Sequence, residues 1–155
     1  MIMNQLEFLT SGFVPLLKDL PANAKGNWGK MNAQQMAEHV SRFFKVSNGK
    51  IIMACISPPE HLPKLKEFLL SDKQFRENTK APIDVVPEEP VALTHDSMAA
   101  ALEELQGEVN DFVKYFEQHP GEKTTHPVFG ELNFDEWVRL HHKHVSHHLR
   151  QFGIG

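Results

Sequence analysis

Apolar residues recur at helical intervals in several separate stretches of this chain. Ile2, Leu6, Leu9, Phe13, Leu16 and Leu20 advance in alternating steps of four and three, which predicts a first helix with one buried stripe. Pro15 falls inside it and is expected to kink or divide it. Beyond Pro21, the Gly- and Asn-containing run from Ala22 to Gly29 reads as a connection, with Trp28 closing one end of the core. Asn32 and Gln35 have the spacing of a capping box for a second helix, striped by Ala33, Met36, Val40 and Phe43 and stopped at Asn48-Gly49. Ile51 to Ile56 reads as further helix or as an extended piece, and Glu60 to Leu70 as a short helix. From Ser71 to Leu93, Pro82, Pro87 and Pro90 interrupt a segment of little periodicity. A loop that long covers a site or a partner surface, or else is mobile. A third long helix begins near Thr94 to Ser97 and repeats strictly through Met98, Leu102, Leu105, Val109, Phe112 and Phe116 until His119-Pro120-Gly121. A loop centred on His126-Pro127-Val128-Phe129-Gly130 follows. Asn133 and Glu136 then form a second capping box, opening a last helix striped by Phe134, Val138, His141, Val145, His148 and Phe152, with Gly153 as its stop. Four long striped helices and no convincing strand pair predict an all-α, antiparallel four-helix bundle, a single domain over residues 1–155.

Composition narrows the classes of function. A chain of 155 residues with 41% hydrophobic and 23% charged residues has enough apolar material for one core. A formal net charge of −4 without any Lys/Arg block argues against a nucleic-acid partner. No apolar run approaches the ~20 residues that span a bilayer, so no membrane partner is expected. The opening Met-Ile-Met-Asn-Gln lacks a basic, then apolar, leader pattern. The single cysteine, Cys55, permits no intramolecular disulfide and, among apolar neighbours, reads as inert core. A cytoplasmic setting is therefore the expectation.

The histidines carry the chemistry. Five of the ten lie in the last helix, dispersed through its amphipathic pattern. His144 and His148, four apart, stand one above the other about 6 Å apart, and imidazoles so placed converge on one ion at about 2.0–2.1 Å. His141 and His148 are roughly 10 Å apart along the axis and cannot share a metal by themselves. His141 with His144, or His144 with His147, are workable at a spacing of three, so His144 takes part in every feasible pair, and whether His141 or His147 replaces His148 stays open. A third ligand must come from elsewhere, since zinc sites use three or four. His39, beside the stripe of the second helix, is the best candidate. His141, in mid-stripe, reads as a core residue or as a support behind the ligands, and His142 and His147 as solvated. His61, His95, His119 and His126 lie near helix ends or loops, with nothing to distinguish them. Glu103, Glu104 and Glu108 line the polar side of the third helix, where one of them is placed to orient a ligand histidine. The His-Glu-x-x-His signature, a phosphate-binding glycine loop and a nucleophile elbow are all absent.

Trp28-Gly-Lys-Met31, Gln35-Met-Ala-Glu-His39, His126-Pro-Val-Phe-Gly130 and the run from Trp137 through His144-Val-Ser-His-His-Leu-Arg-Gln-Phe-Gly153 resemble the DinB-like superfamily (DinB/YfiT-like proteins), in a branch without an established activity. The likeness spans essentially the whole chain. It implies a four-helix bundle that holds a divalent metal through one histidine of the second helix and two of the last, matched here by His39, His144 and His148, with Gln151 matching the glutamine that follows. It implies thiol-dependent transferase or metal-dependent hydrolase activity on a small-molecule substrate, a low-molecular-weight thiol of the bacillithiol or mycothiol kind as co-substrate, and a homodimer. The extra histidines at 141, 142 and 147 and the proline-rich middle depart from the pattern. Zinc and nickel both suit three imidazoles. The competing expectation is a non-catalytic bundle, a ligand-binding or stress-related module with structural histidines.

Overall fold

A computed structural model describes residues 2–77 and 91–154, and the side chains of residues 5–77 and 91–154. The described chain is mostly helical. It runs through α1 (Ile2–Glu7), a π-helical turn (Phe8–Gly12), α2 (Phe13–Leu16), α3 (Ala33–Ser47), α4 (Leu62–Leu70), α5 (Met98–Gln118), the strands β1 (Thr124–His126) and β2 (Gly130–Leu132), and α6 (Phe134–Gln151). No described helix is long and apolar enough to cross a membrane.

The first helix is divided one turn before Pro15, by the π turn, in which the Phe13 N–H bonds to the Phe8 carbonyl. A π turn inserts one residue, so the apolar stripe downstream moves on by one. Leu17 is consequently buried where Leu16 was expected, and Leu16 lies exposed.

Both capping boxes form. The Asn32 and Asn133 side chains accept from the backbone N–H of Gln35 and Glu136, whose side chains accept from the two asparagine N–H groups in return. Replacing Asn133 by alanine removes one of these reciprocal pairs and is expected to destabilise the protein by about 1 kcal/mol, a fall of roughly 2–4 °C in thermal midpoint followed by circular dichroism. An unchanged midpoint would show that the box contributes nothing.

α3 packs along α5, and α6 lies across both α1 and α3. All six stripe residues of α5 are buried in the contact. On α3 the stripe turns at its end: Phe44, fully buried, takes the core position expected of Phe43, and Phe43 is only half-buried. Residues 52–56 form neither helix nor strand, and the Ile56 N–H bonds the Pro127 carbonyl.

The segment expected to be only a loop folds as a β-hairpin, with Thr124, Thr125 and His126 opposite Leu132, Glu131 and Gly130. Strands of three residues carry too little alternation to be read from a pattern. Gly130, at φ +81°, closes the turn in a backbone region that favours glycine. Thr124 Oγ1 donates to the Ser47 carbonyl, 2.9 Å away, fastening the hairpin to the end of α3. Part of the 71–93 loop, residues 78–90, lies outside the described residues.

Candidate metal centre

Two helices distant in sequence bring three imidazoles to one point. His39, on α3, places Nε2 3.1 Å from Nε2 of His144, and His148 Nε2 is 3.0 Å from the same atom. Among the described residues this is the one group of histidine, cysteine or carboxylate side chains placed to share a metal ion, with the three ligand atoms all within 4.8 Å of one another. His39 and His148 are buried, and His144 is half-buried.

The hydrogen bonding fixes which nitrogen of His148 faces inward. The Trp28 carbonyl can only accept, so Gln151 Nε2 donates to it at 2.8 Å, and Gln151 Oε1 is turned to His148 Nδ1, 2.7 Å away. Nδ1 therefore carries the proton and Nε2 points a lone pair into the cluster, as an imidazole ligand backed by a second hydrogen bond requires. The turn from Gly26 to Gly29 closes over Gln151. The Asn27 N–H bonds its carbonyl at 2.6 Å, a Cβ on Gly26 would lie 2.7 Å from its Cγ, and one on Gly29 would lie 2.8 Å from its Nε2.

Burial holds all three imidazoles in the neutral form. His39 and His144 sit well below the ordinary histidine value, first through loss of solvent and then through repulsion from His148 and other basic neighbours. His148 is pushed down to about 4, again chiefly by burial. A neutral His144 has one Nε2 proton at most and cannot bond both neighbours, 3.0 and 3.1 Å away, equally well, whereas one cation can be shared by all three nitrogens. Nitrogens about 2.0–2.1 Å from a common ion stand roughly 3–3.4 Å apart, so the spacing fits a shared transition metal.

The remaining histidines are placed otherwise. His141 lies in the core, its ring stacked 3.7 Å from Phe44 and edge-on to Phe112, with Nε2 2.9 Å from Ser47 Oγ. Ser47 Oγ donates to the Phe44 carbonyl, so His141 Nε2 donates to Ser47. Of the two readings of His141, this geometry matches the core residue. His147, expected to be solvated, is buried between Trp28 and Phe75, with ring centres 5.4 and 5.9 Å away, and its Nδ1 has no hydrogen-bond partner among the described residues. Its cover comes from two loops, which the helical periodicity of α6 cannot reveal. His142 is half-buried, edge-on to Phe8. His126, undistinguished in the sequence, is buried beneath the hairpin, where its Nδ1 accepts from the Val128 and Phe129 N–H groups.

The acids expected beside the cluster are engaged elsewhere. Glu104 bonds Lys45 and His95, and Glu108 bonds Asn48 and Lys50. Glu38, next to His39 in sequence, turns away from the cluster to accept from Gln34, Thr94 and the His95 N–H, which anchors the entry to α5. Sequence reasoning missed this buried carboxylate, whose donors all lie outside its own turn or across the fold.

Over residues 66–153 the chain matches the model of a family described as a protein of unknown function, DUF1569. That span holds His144, His148 and Gln151 and leaves out His39. No curated protein matches, and no solved structure does.

Proposed function

We propose that this chain, which belongs to the protein family of unknown function DUF1569, is a metal-dependent enzyme whose divalent transition ion is held by His39, His144 and His148. The observation that carries the reading is the convergence of three neutral imidazole nitrogens, two from buried side chains and one half-buried, with the tautomer of His148 fixed by Gln151. Four long helical stretches with apolar stripes, together with this ligand set, support assignment to a branch of the DinB-like superfamily and to its four-helix bundle.

Three imidazoles leave a zinc or nickel ion short of a full set, and the half-buried flank at His144 is where a small molecule reaches it. A divalent ion supplies Lewis acidity there, lowering the pKa of a water or thiol so that a nucleophile exists at neutral pH. The chain's own part is to hold three uncharged donors in place and to keep water from their inner side. Transfer of a low-molecular-weight thiol to an electrophile, or hydrolysis of a small substrate, follows from that chemistry, in a cytoplasmic homodimer. The burial of His39 and His148 favours one second reading, a non-catalytic ligand-binding module in which the histidines are structural.

Elemental analysis after chelation and reloading tests the site. Wild type is expected to hold one equivalent of zinc or nickel, His39→Ala and His144→Ala to lose it, and His147→Ala to keep it. A wild type that takes up neither metal, or loss confined to His147→Ala, would sink the assignment.

A further inference from the structure

The three-histidine cluster has a basic neighbour that no described residue neutralises. Arg42 stands three residues beyond His39 on α3, and Phe43 four beyond, positions that share one face of a helix. The Phe43 ring lies edge-on to both His39 and His144, at 5.2 and 5.3 Å, so this face is the one turned to the cluster. Arg42 is half-buried, and among the described residues its guanidinium has neither a carboxylate nor another hydrogen-bond acceptor. Its charge reaches the cluster, adding to burial and to His148 in disfavouring protonated His39.

The acids of the surrounding elements are committed to other partners, as described for Glu38, Glu104 and Glu108. From the other side, Arg150 on α6 donates to the Phe75 carbonyl and, among the described residues, to no carboxylate. Among the described residues neither Arg42 nor Arg150 has a carboxylate partner, although the chain as a whole carries a net charge of −4. Three neutral ligands contribute no negative charge to a divalent ion, so an ion there together with Arg42 would carry a formal excess of positive charge in a partly desolvated place. Charge is costly under such conditions unless paired. A guanidinium's fork of donors matches the two oxygens of a carboxylate or phosphate.

We propose that Arg42 recognises an oxyanion on the ligand of the three-histidine site: the small molecule bound there carries a carboxylate or phosphate group, gripped by the guanidinium while its remainder reaches the open flank at His144. This rests on the metal-site reading, and the experiment separates the two. Wild type, Arg42→Gln and Arg42→Lys are loaded with nickel, their metal content is measured, and inorganic phosphate and acetate are titrated into each by calorimetry. Gln and Lys both keep helix propensity, so folding is preserved. All three proteins are expected to hold one equivalent of nickel. Arg42→Gln should bind the tighter of the two anions at least tenfold more weakly, with partial recovery in Arg42→Lys, and the identity of that anion tells carboxylate from phosphate. Full metal with unchanged anion binding in Arg42→Gln, or no anion binding by wild type, overturns the inference and leaves the metal site standing. Loss of nickel from Arg42→Gln makes Arg42 a support of the metal site and also overturns it. A wild type that takes up no nickel overturns the metal-site reading, and this inference with it.

Discussion

Between pH 7 and pH 4.5 the metal-free protein is expected to lose at least about 5 kcal/mol of stability. Burial depresses the folded-state values of His126 to about 3 and of His148 to about 4. The folded protein therefore binds fewer protons than the unfolded chain, whose histidines titrate near 6.5. Stability from this source is complete above pH 6.5 and drains away as the pH falls towards the folded values, at about 1.4 kcal/mol per pH unit for each such imidazole. By pH 4.5 these two account for roughly 2–3 kcal/mol apiece, and His39, His141 and His144, also lowered by burial, act in the same direction. Much of this window lies above the ordinary carboxylate range, so histidines carry the change. Since a domain's whole stability is about 5–15 kcal/mol, acid unfolding should set in well above pH 4. Urea titrations at pH 7, 6, 5 and 4.5 with chelator present check this. A flat profile would mean that the imidazoles are not buried neutral.

Replacing Gln151 by leucine is expected to weaken metal affinity by 10- to 100-fold without unfolding the protein. Leucine fills a similar volume but leaves His148 Nδ1 and the Trp28 carbonyl without their partner. His148 is then free to move its proton to Nε2 and to turn its ring, and losing such a supporting bond commonly weakens a metal site to this extent. Competition against a chromogenic chelator measures it, with circular dichroism to confirm folding. Affinity equal to wild type would show that packing alone orients the ring. Gln151→Glu is expected to fare little better, because a carboxylate keeps the bond to His148 but sets an oxygen against the Trp28 carbonyl.

What could be read from the sequence was whatever is local to one helix. The α5 stripe from Met98 to Phe116 and the boxes at Asn32 and Asn133 depend on residues within a few positions, and each formed as expected. Spacing put His144 into every workable pair but left His141 and His147 open beside His148, and His39 stood out only by its place beside the α3 stripe; the full set of three came from resemblance, because no local rule brings α3 against α6. The misses share a physical cause in the opposite sense. The π turn shifted the Leu16 position to Leu17 without a sequence mark that periodicity registers. His147 is buried by Trp28 and Phe75, and Glu38 is satisfied by Thr94 and His95, all from segments without a repeat. The hairpin around Gly130 was too short to show alternation.

His39 and His144 are 105 positions apart, and the chain has a single cysteine. An ion that joins them would do topologically what a disulfide does elsewhere, tying a long loop shut and restricting the unfolded ensemble. The order of events during folding follows. His144 and His148 are neighbours on a single helix, so that ion would be held by two ligands as soon as the helix forms. His39 would join only when α3 docks on α6, so its share of the binding energy would go to tertiary structure rather than to α6 alone.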